Sequence, residues 1–143
     1  MSTTTTVPIA PLSMAIIGAG RIGSSFAYQL ARAGHQVTLV ARPGSTRLAQ
    51  LKRDGGIVTT AGRRASVTVA DHLDKETAYD VVFVTVNAHQ LADLISTLQV
   101  SKAKAIQFMF VTTEAARLRA AVGETVDLWV RRCPGHHRQR RPA

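Results

Sequence analysis

Cys133 is the only cysteine in the 143 residues, so no intrachain disulfide can form, which fits a reducing compartment. Aromatic residues make up 5% of the chain, too few to build the stacking platforms that single-stranded nucleic-acid binders use. No apolar run approaches the roughly 20 residues that cross a bilayer. Residues 2–6 carry no Lys or Arg, unlike the charged opening of a secretory signal. A cytoplasmic protein with no membrane partner is therefore expected. Acids are also short, 9 against 18 basic residues, giving a net charge of +9. Such a balance ordinarily points to an anionic partner. Five of the arginines, however, are Arg131, Arg132, Arg138, Arg140 and Arg141, and without them the rest of the chain carries +4. No basic cluster interleaved with aromatics occurs elsewhere, so nucleic acid is not the expected partner.

What is present suits one globular domain: 45% of the residues are hydrophobic, enough for a real core. Residues 14–17, Met-Ala-Ile-Ile, form a short, wholly apolar run ending in glycine, as a strand buried on both faces reads. A helical pattern follows Gly18–Gly23, with Ile22, Phe26, Leu30 and Ala33 at spacings of three and four and Gly34 as a stop. Residues 37–41 are a second strand, broken by Arg42-Pro43-Gly44. Ser45 caps a helix carrying Leu48 and Leu51 that ends near Gly55-Gly56. Residues 57–60 and 65–69 flank Gly62 and read as a hairpin. Residues 81–86 form the strongest strand. A helix over 89–98 presents Leu91, Leu94, Ile95 and Leu98. Residues 106–111 form another strand, 114–122 another helix, and 126–130 one more strand.

Strands alternating with helices of this length imply a parallel sheet. The fold class expected is α/β, a Rossmann-type doubly wound parallel sheet in a single domain. The boundaries expected are a flexible leader over 1–12, a dinucleotide-binding domain over 13–127, and a basic tail over 128–143. From Arg131 onward the tail has no apolar periodicity, so it reads as disordered.

Gly18-Ala19-Gly20-Arg21-Ile22-Gly23 is a G-x-G-x-x-G loop in the context that gives the motif meaning: strand, loop, helix, strand. Gly18 permits the tight turn, Gly20 lets backbone N–H groups approach a pyrophosphate, and Gly23 lets the helix pack closely on the strand. The helix N-terminus adds partial positive charge. At the end of the second strand, where an acid would bind the ribose 2′-OH of NAD, stands Ala41-Arg42. A guanidinium binds a 2′-phosphate that a carboxylate would repel, so NADP is the cofactor expected. Arg47 and Arg21 are candidates to assist.

With these residues in view, residues 14 to about 124 resemble the N-terminal domain of ketopantoate reductases (2-dehydropantoate 2-reductases). The likeness is carried by the glycine loop, by His35-Gln36-Val37-Thr38-Leu39-Val40-Ala41-Arg42, by Asp54-Gly55-Gly56-Ile57, and by Val84-Thr85-Val86-Asn87-Ala88-His89-Gln90. The resemblance implies an oxidoreductase that reduces 2-dehydropantoate to pantoate with NADPH in pantothenate biosynthesis. It also implies a Rossmann domain followed by a helical C-terminal domain that bears the catalytic lysine and a substrate-binding acid. Asn87 stands where the family commonly has a lysine, and as an amide it can still hydrogen-bond the cofactor. Val111 stands near where the family commonly has an asparagine, with Thr112 or Thr113 as substitutes. The resemblance thus covers the N-terminal half alone, and the chain reads as a truncated or frame-shifted form, inactive by itself. A 2-keto acid substrate is expected only if a second domain is supplied. A non-catalytic dinucleotide-binding module, a subunit completed by a separate chain, and a homo-oligomer all remain open.

The cofactor-binding residues expected are therefore Gly18, Ala19, Gly20, Arg21, Ile22, Gly23, Arg42 and Asn87. No catalytic residue and no metal ligand is expected. Cys133 with His136 and His137 lacks the paired spacing of a zinc site. His89 at a helix start is a weaker candidate for ligand contact, and His35 after Gly34 reads as an exposed turn residue. No serine sits on a strand-to-helix elbow, so no Ser-His-Asp arrangement is argued.

Overall fold

The computed structural model describes residues 10–87, 90–111, 115–123 and 127–131. Its centre is β1 (Ser13–Ile17), whose last four residues are buried. The burial is two-sided because the strand is covered on both faces. Ala15 and Ile17 join one hydrophobic cluster and Ile16 joins another. The same alternation runs through β2 (Gln36–Val40), where Val40 faces the first cluster and Val37 and Leu39 the second. In β6 (Val81–Val84), Val82 and Val84 face the first cluster and Phe83 the second. Successive side chains on a strand point to opposite faces, so these apolar runs feed two cores at once.

The remaining elements are α1 (Arg21–Arg32), α2 (Thr46–Asp54), β3 (Ile57–Val58), β4 (Arg64–Ala65), β5 (Thr68–Ala70), α3 (Leu91–Val100), β7 (Ala105–Val111), α4 (Ala115–Val122) and β8 (Asp127–Arg131). Six strands form one sheet in the order β5-β2-β1-β6-β7-β8, and every pairing in it is parallel. The chain builds outward from β1 to β5, crosses back, and builds outward again from β6 to β8. That order is the doubly wound Rossmann arrangement, with its reversal between β1 and β6. Among the described residues no helix is long and apolar enough to cross a membrane.

Most of the expected elements are present, and the differences have physical causes. Leu91, Leu94, Ile95 and Leu98 do pack on the first cluster. Ser45 does cap α2, accepting the Leu48 N–H at 3.1 Å, and Gly55 closes that helix at φ +68°. The apolar stripe expected on α1 is not the buried one: Ile22 is 53% and Phe26 39% exposed, Ala33 is exposed, and only Leu30 packs on the second cluster. The helix buries Gly23 and Ala27 instead. A Cβ at Gly23 would run into the Gly18 carbonyl oxygen, so α1 lies too close to the sheet for large side chains there. Phe26 reaches back over the sheet to Phe83, with ring centroids 6.1 Å apart.

The second arm of the expected hairpin divides. Arg64 and Ala65 pair antiparallel with Val58 and Ile57, whereas Thr68–Ala70 leaves to pair parallel with β2. Val67 and Val69 find their burial against the second cluster, which a two-stranded ribbon does not offer. The strand expected over 81–86 stops at Val84, for a reason given below. β8 carries the sheet to Arg131, past the expected boundary at 127. His35 is half-buried rather than exposed, because its Nδ1 accepts the Leu12 N–H at 3.1 Å. Leu12, placed in the leader by sequence, also accepts the Gln36 N–H at 2.9 Å. Residues 1–9 and 132–143, with most of the leader and tail, lie outside the described residues.

Candidate functional site

The glycine loop lies at the C-terminal ends of β1 and β6, where the strand order reverses. In open α/β sheets this crevice is where ligands bind. Gly18 adopts φ +110°, which an L side chain rarely does, while its N–H donates to the Val40 carbonyl at 3.0 Å. The turn is fastened from the other side by Thr85. Its N–H donates to the Ile17 carbonyl at 2.9 Å, and its hydroxyl is shared between the Ile17 and Gly18 carbonyls at 3.0 and 3.1 Å. The Thr85 N–H makes the last bond of the β1–β6 ladder and its hydroxyl ties the turn; beyond it β1 has turned away at Gly18, so β6 has no partner on that side to continue with. Thr85 is the one polar residue in an otherwise apolar run, and that was the signal available in the sequence.

Gly20 is the N-cap of α1, at φ −74° and ψ −165°, an extended conformation open to any residue. Its significance is space: a Cβ built there meets nothing within 4 Å. Below it, the first turn of α1 has neither a side-chain cap nor an acid, whereas the neighbouring α2 is capped by Ser45. The donors at the start of α1 are thus left to whatever occupies the space above Gly20. Arg21 and Ile22 are exposed in this turn, and Ala19 is half-buried.

Arg42 is exposed at the end of β2, followed by Pro43 and Gly44, with no acid in that turn. Asn87 is exposed just past the end of β6; its N–H donates to Gln90 Oε1 at 3.3 Å and its carbonyl accepts the Gln90 N–H at 2.9 Å. Glycine loop, Arg42 and Asn87 therefore share one end of the sheet. Ala88, His89, Thr112, Thr113, Cys133, His136 and His137 lie outside the described residues, as does the side chain of Val111. Asp71, which sequence reasoning passed over, stands just beyond β5 at this same end, and a hydrogen bond from the adjacent His72, 2.6 Å away, holds its carboxyl below the usual value.

A family model described as ketopantoate reductase PanE/ApbA matches residues 14–111, more than half of the chain. The chain belongs to the ketopantoate reductase family. Among solved structures it is similar to a Bacillus subtilis protein described as a probable 2-dehydropantoate 2-reductase, at 30% identity and a TM-score of 0.57. That match covers 68% of this chain and 33% of the other. The fold is also shared with a 2-dehydropantoate 2-reductase from Methylococcus capsulatus, at 24% identity and TM-score 0.54, over 82% of this chain and 39% of that one. A PanE/ApbA family ketopantoate reductase from Ralstonia eutropha JMP134 gives 21% identity and TM-score 0.58, over 82% and 39%. The chain spans a third to two fifths of the length of these structures. No curated protein matches it.

In this ketopantoate reductase-family domain the lysines stand away from the glycine loop. Lys104 precedes β7 and pairs with Asp80, which precedes β6, at 3.0 Å. Lys102 pairs with Glu76 at 2.7 Å in the same region, and its N–H donates to the Lys75 carbonyl. In a parallel sheet those positions are the opposite end from the loop. Lys52 is exposed on α2.

Proposed function

We propose that this domain binds NADP(H) and supplies the cofactor half of a reduction of 2-dehydropantoate, a small 2-keto acid. The observation that carries the reading is the uncapped first turn of α1 beneath the open space at Gly20. The family's nicotinamide chemistry supports it, as does the acid-free turn at Arg42. The first-turn N–H groups of Arg21, Ile22 and Gly23 would hold the pyrophosphate, with the backbone of Gly18, Ala19 and Gly20 forming the cradle. Arg42 would pair with the 2′-phosphate, and Asn87 would offer an amide on the nicotinamide side. Bound NADPH supplies a hydride to the ketone carbon.

This chain's own described residues bind and orient the cofactor; they do not supply the proton. Lys102 and Lys104 lie at the opposite end of the sheet, Lys52 is exposed on α2 beside the edge strand β5, and Asn87 cannot act as an acid. A cytoplasmic setting is part of the same proposal.

The test is titration of the full chain with NADPH and NADH. A charge-assisted hydrogen bond contributes roughly 1.5–3 kcal/mol, so NADPH should bind about tenfold or more tightly. Arg42→Asp should reverse the order. Equal affinities for the two cofactors, untouched by that substitution, would remove Arg42 from the site.

A further inference from the structure

Arg47 enters from the first turn of α2, and its guanidinium turns toward the glycine loop. Nε donates to the Ala19 carbonyl at 3.2 Å, Nη2 to Ser24 Oγ at 3.0 Å, and Nη1 to Gln50 Oε1 at 2.9 Å. The Ser24 hydroxyl itself donates to the Ala19 carbonyl at 3.0 Å. All three acceptors of Arg47 are neutral. Among the described residues no carboxylate forms an ion pair with it, and neither α1 nor α2 has an acid in its first turn. A half-buried guanidinium without a counter-charge is an incomplete arrangement. Five N–H groups are available to it and these bonds use three, leaving one on each terminal nitrogen.

The same side chain lines an open cleft of about 730 Å³ between α1 and the β3–β4 hairpin. Arg21, Ser24 and Tyr28 line it from one flank of α1, and Thr59 and Thr60 from the hairpin. Thr59 Oγ1 accepts the Arg63 N–H at 3.1 Å, so its own hydroxyl hydrogen remains to donate. The lining thus holds two guanidiniums, several hydroxyls and no acid. Such a lining repels cations and metals and offers donors to an anion, beside an apolar wall of Ala19, Ile57 and Val58.

We propose that this cleft is a phosphoryl-anion site, with Arg47 its principal ligand and Arg21 the second. The cleft shares Ala19, Gly20 and Arg21 with the loop assigned above, so the inference rests in part on that reading; Arg42 is not among its lining residues, so failure of the 2′-phosphate contact and failure of the cleft are told apart by different substitutions. The phosphoryl group belongs either to the dinucleotide or to a separate phosphorylated ligand. Because Arg47 also holds the Ala19 carbonyl, occupancy of the cleft acts directly on the loop.

The probe is inorganic phosphate added to the full chain at constant ionic strength, with melting temperature as the readout and chloride as the reference. Phosphate should raise the melting temperature saturably. Arg47→Gln and Arg21→Gln should each abolish or strongly weaken that rise, and Arg53→Gln, on α2 outside the cleft, should leave it intact. Arg21 makes no bond that folding needs, so it reads the site even if Arg47→Gln lowers stability by itself. NADPH titration with saturating phosphate then separates the sources: competition that Arg47→Gln relieves means that the dinucleotide's own phosphate enters the cleft, and independent binding means a separate ligand. A phosphate effect no larger than that of chloride, or one that survives both cleft substitutions, would overturn the site.

Discussion

Gly20 and Gly23 sit three residues apart in one motif and do opposite work. A side chain at Gly20 meets only open space, while one at Gly23 collides with the Gly18 carbonyl. Gly20→Val should therefore fold with little change in melting temperature yet lose NADPH binding, because the added methyls fill the room a pyrophosphate needs. Gly23→Ala should destabilise the domain by about 1–3 kcal/mol, the range for forcing extra volume into a packed contact. Denaturant melts and calorimetric titration of the two variants check both statements. Undiminished affinity in a folded Gly20→Val protein would mean that the dinucleotide does not lie over this loop. The motif by itself assigned Gly20 to ligand approach and Gly23 to close packing; what a side chain at each would meet is given only by the structure.

At the scale of elements, short polar contacts fasten strands whose apolar faces would otherwise leave their ends free. Thr85 fastens the loop end of β1 to β6. Asp80 does so at the opposite end, where its Oδ2 accepts the Ser13 N–H at 2.9 Å and its Oδ1 pairs with Lys104. The Ser13 hydrogen bond, followed by Lys104, holds the Asp80 carboxyl below its ordinary value of 3.8. A folded-state value lower than the unfolded one means that the ionised form is favoured by folding. The stability Asp80 adds is thus present in full above the ordinary value and lost as the pH falls through the lower folded value. Melting temperatures followed from roughly pH 5 down to pH 1 should fall less steeply in Asp80→Asn than in the parent chain. Parallel curves would show that this carboxylate has no part in the acid response.

For the whole molecule, the parallel sheet separates two populations of charge. Among the described residues, four of the five ionisable groups with shifted values, Asp74, Glu76, Asp80 and Lys102, gather before β6 and β7, and the fifth, Asp71, stands at the other end. The glycine loop, Arg42 and Asn87 stand at the other end. Hydride transfer to a ketone needs the carbon held against the nicotinamide and a group that protonates the forming alkoxide. On the proposed reading the described residues serve the first requirement in part, and none of them is assigned the second. The 143-residue chain, saturated with NADPH and given 2-dehydropantoate, should therefore show no steady loss of nicotinamide absorbance. Turnover at ~1 s⁻¹ or faster would mean that a proton donor acts from residues not assigned here or from a second copy of the chain.

The apolar runs of β1, β2 and β6, the caps Ser45 and Gly55, and the glycine loop are local patterns, and each was readable along the chain because burial on both faces, capping and tight turning impose their own residue choices. The class of fold and its family followed from these. Local pattern did not determine which flank of α1 is buried, because that depends on how near the sheet lies, and Gly23 lets it approach until Ile22 and Phe26 are displaced outward. The split of residues 65–69 between hairpin and sheet was likewise undecided, since both partners suit β-branched residues and only the second core rewards the separation. Arg47 was a candidate to assist the cofactor by sequence, but its bond to the Ala19 carbonyl, 28 positions away, exists only in the folded chain. Contacts of that span have no signature in spacing, so the tertiary structure alone decided them.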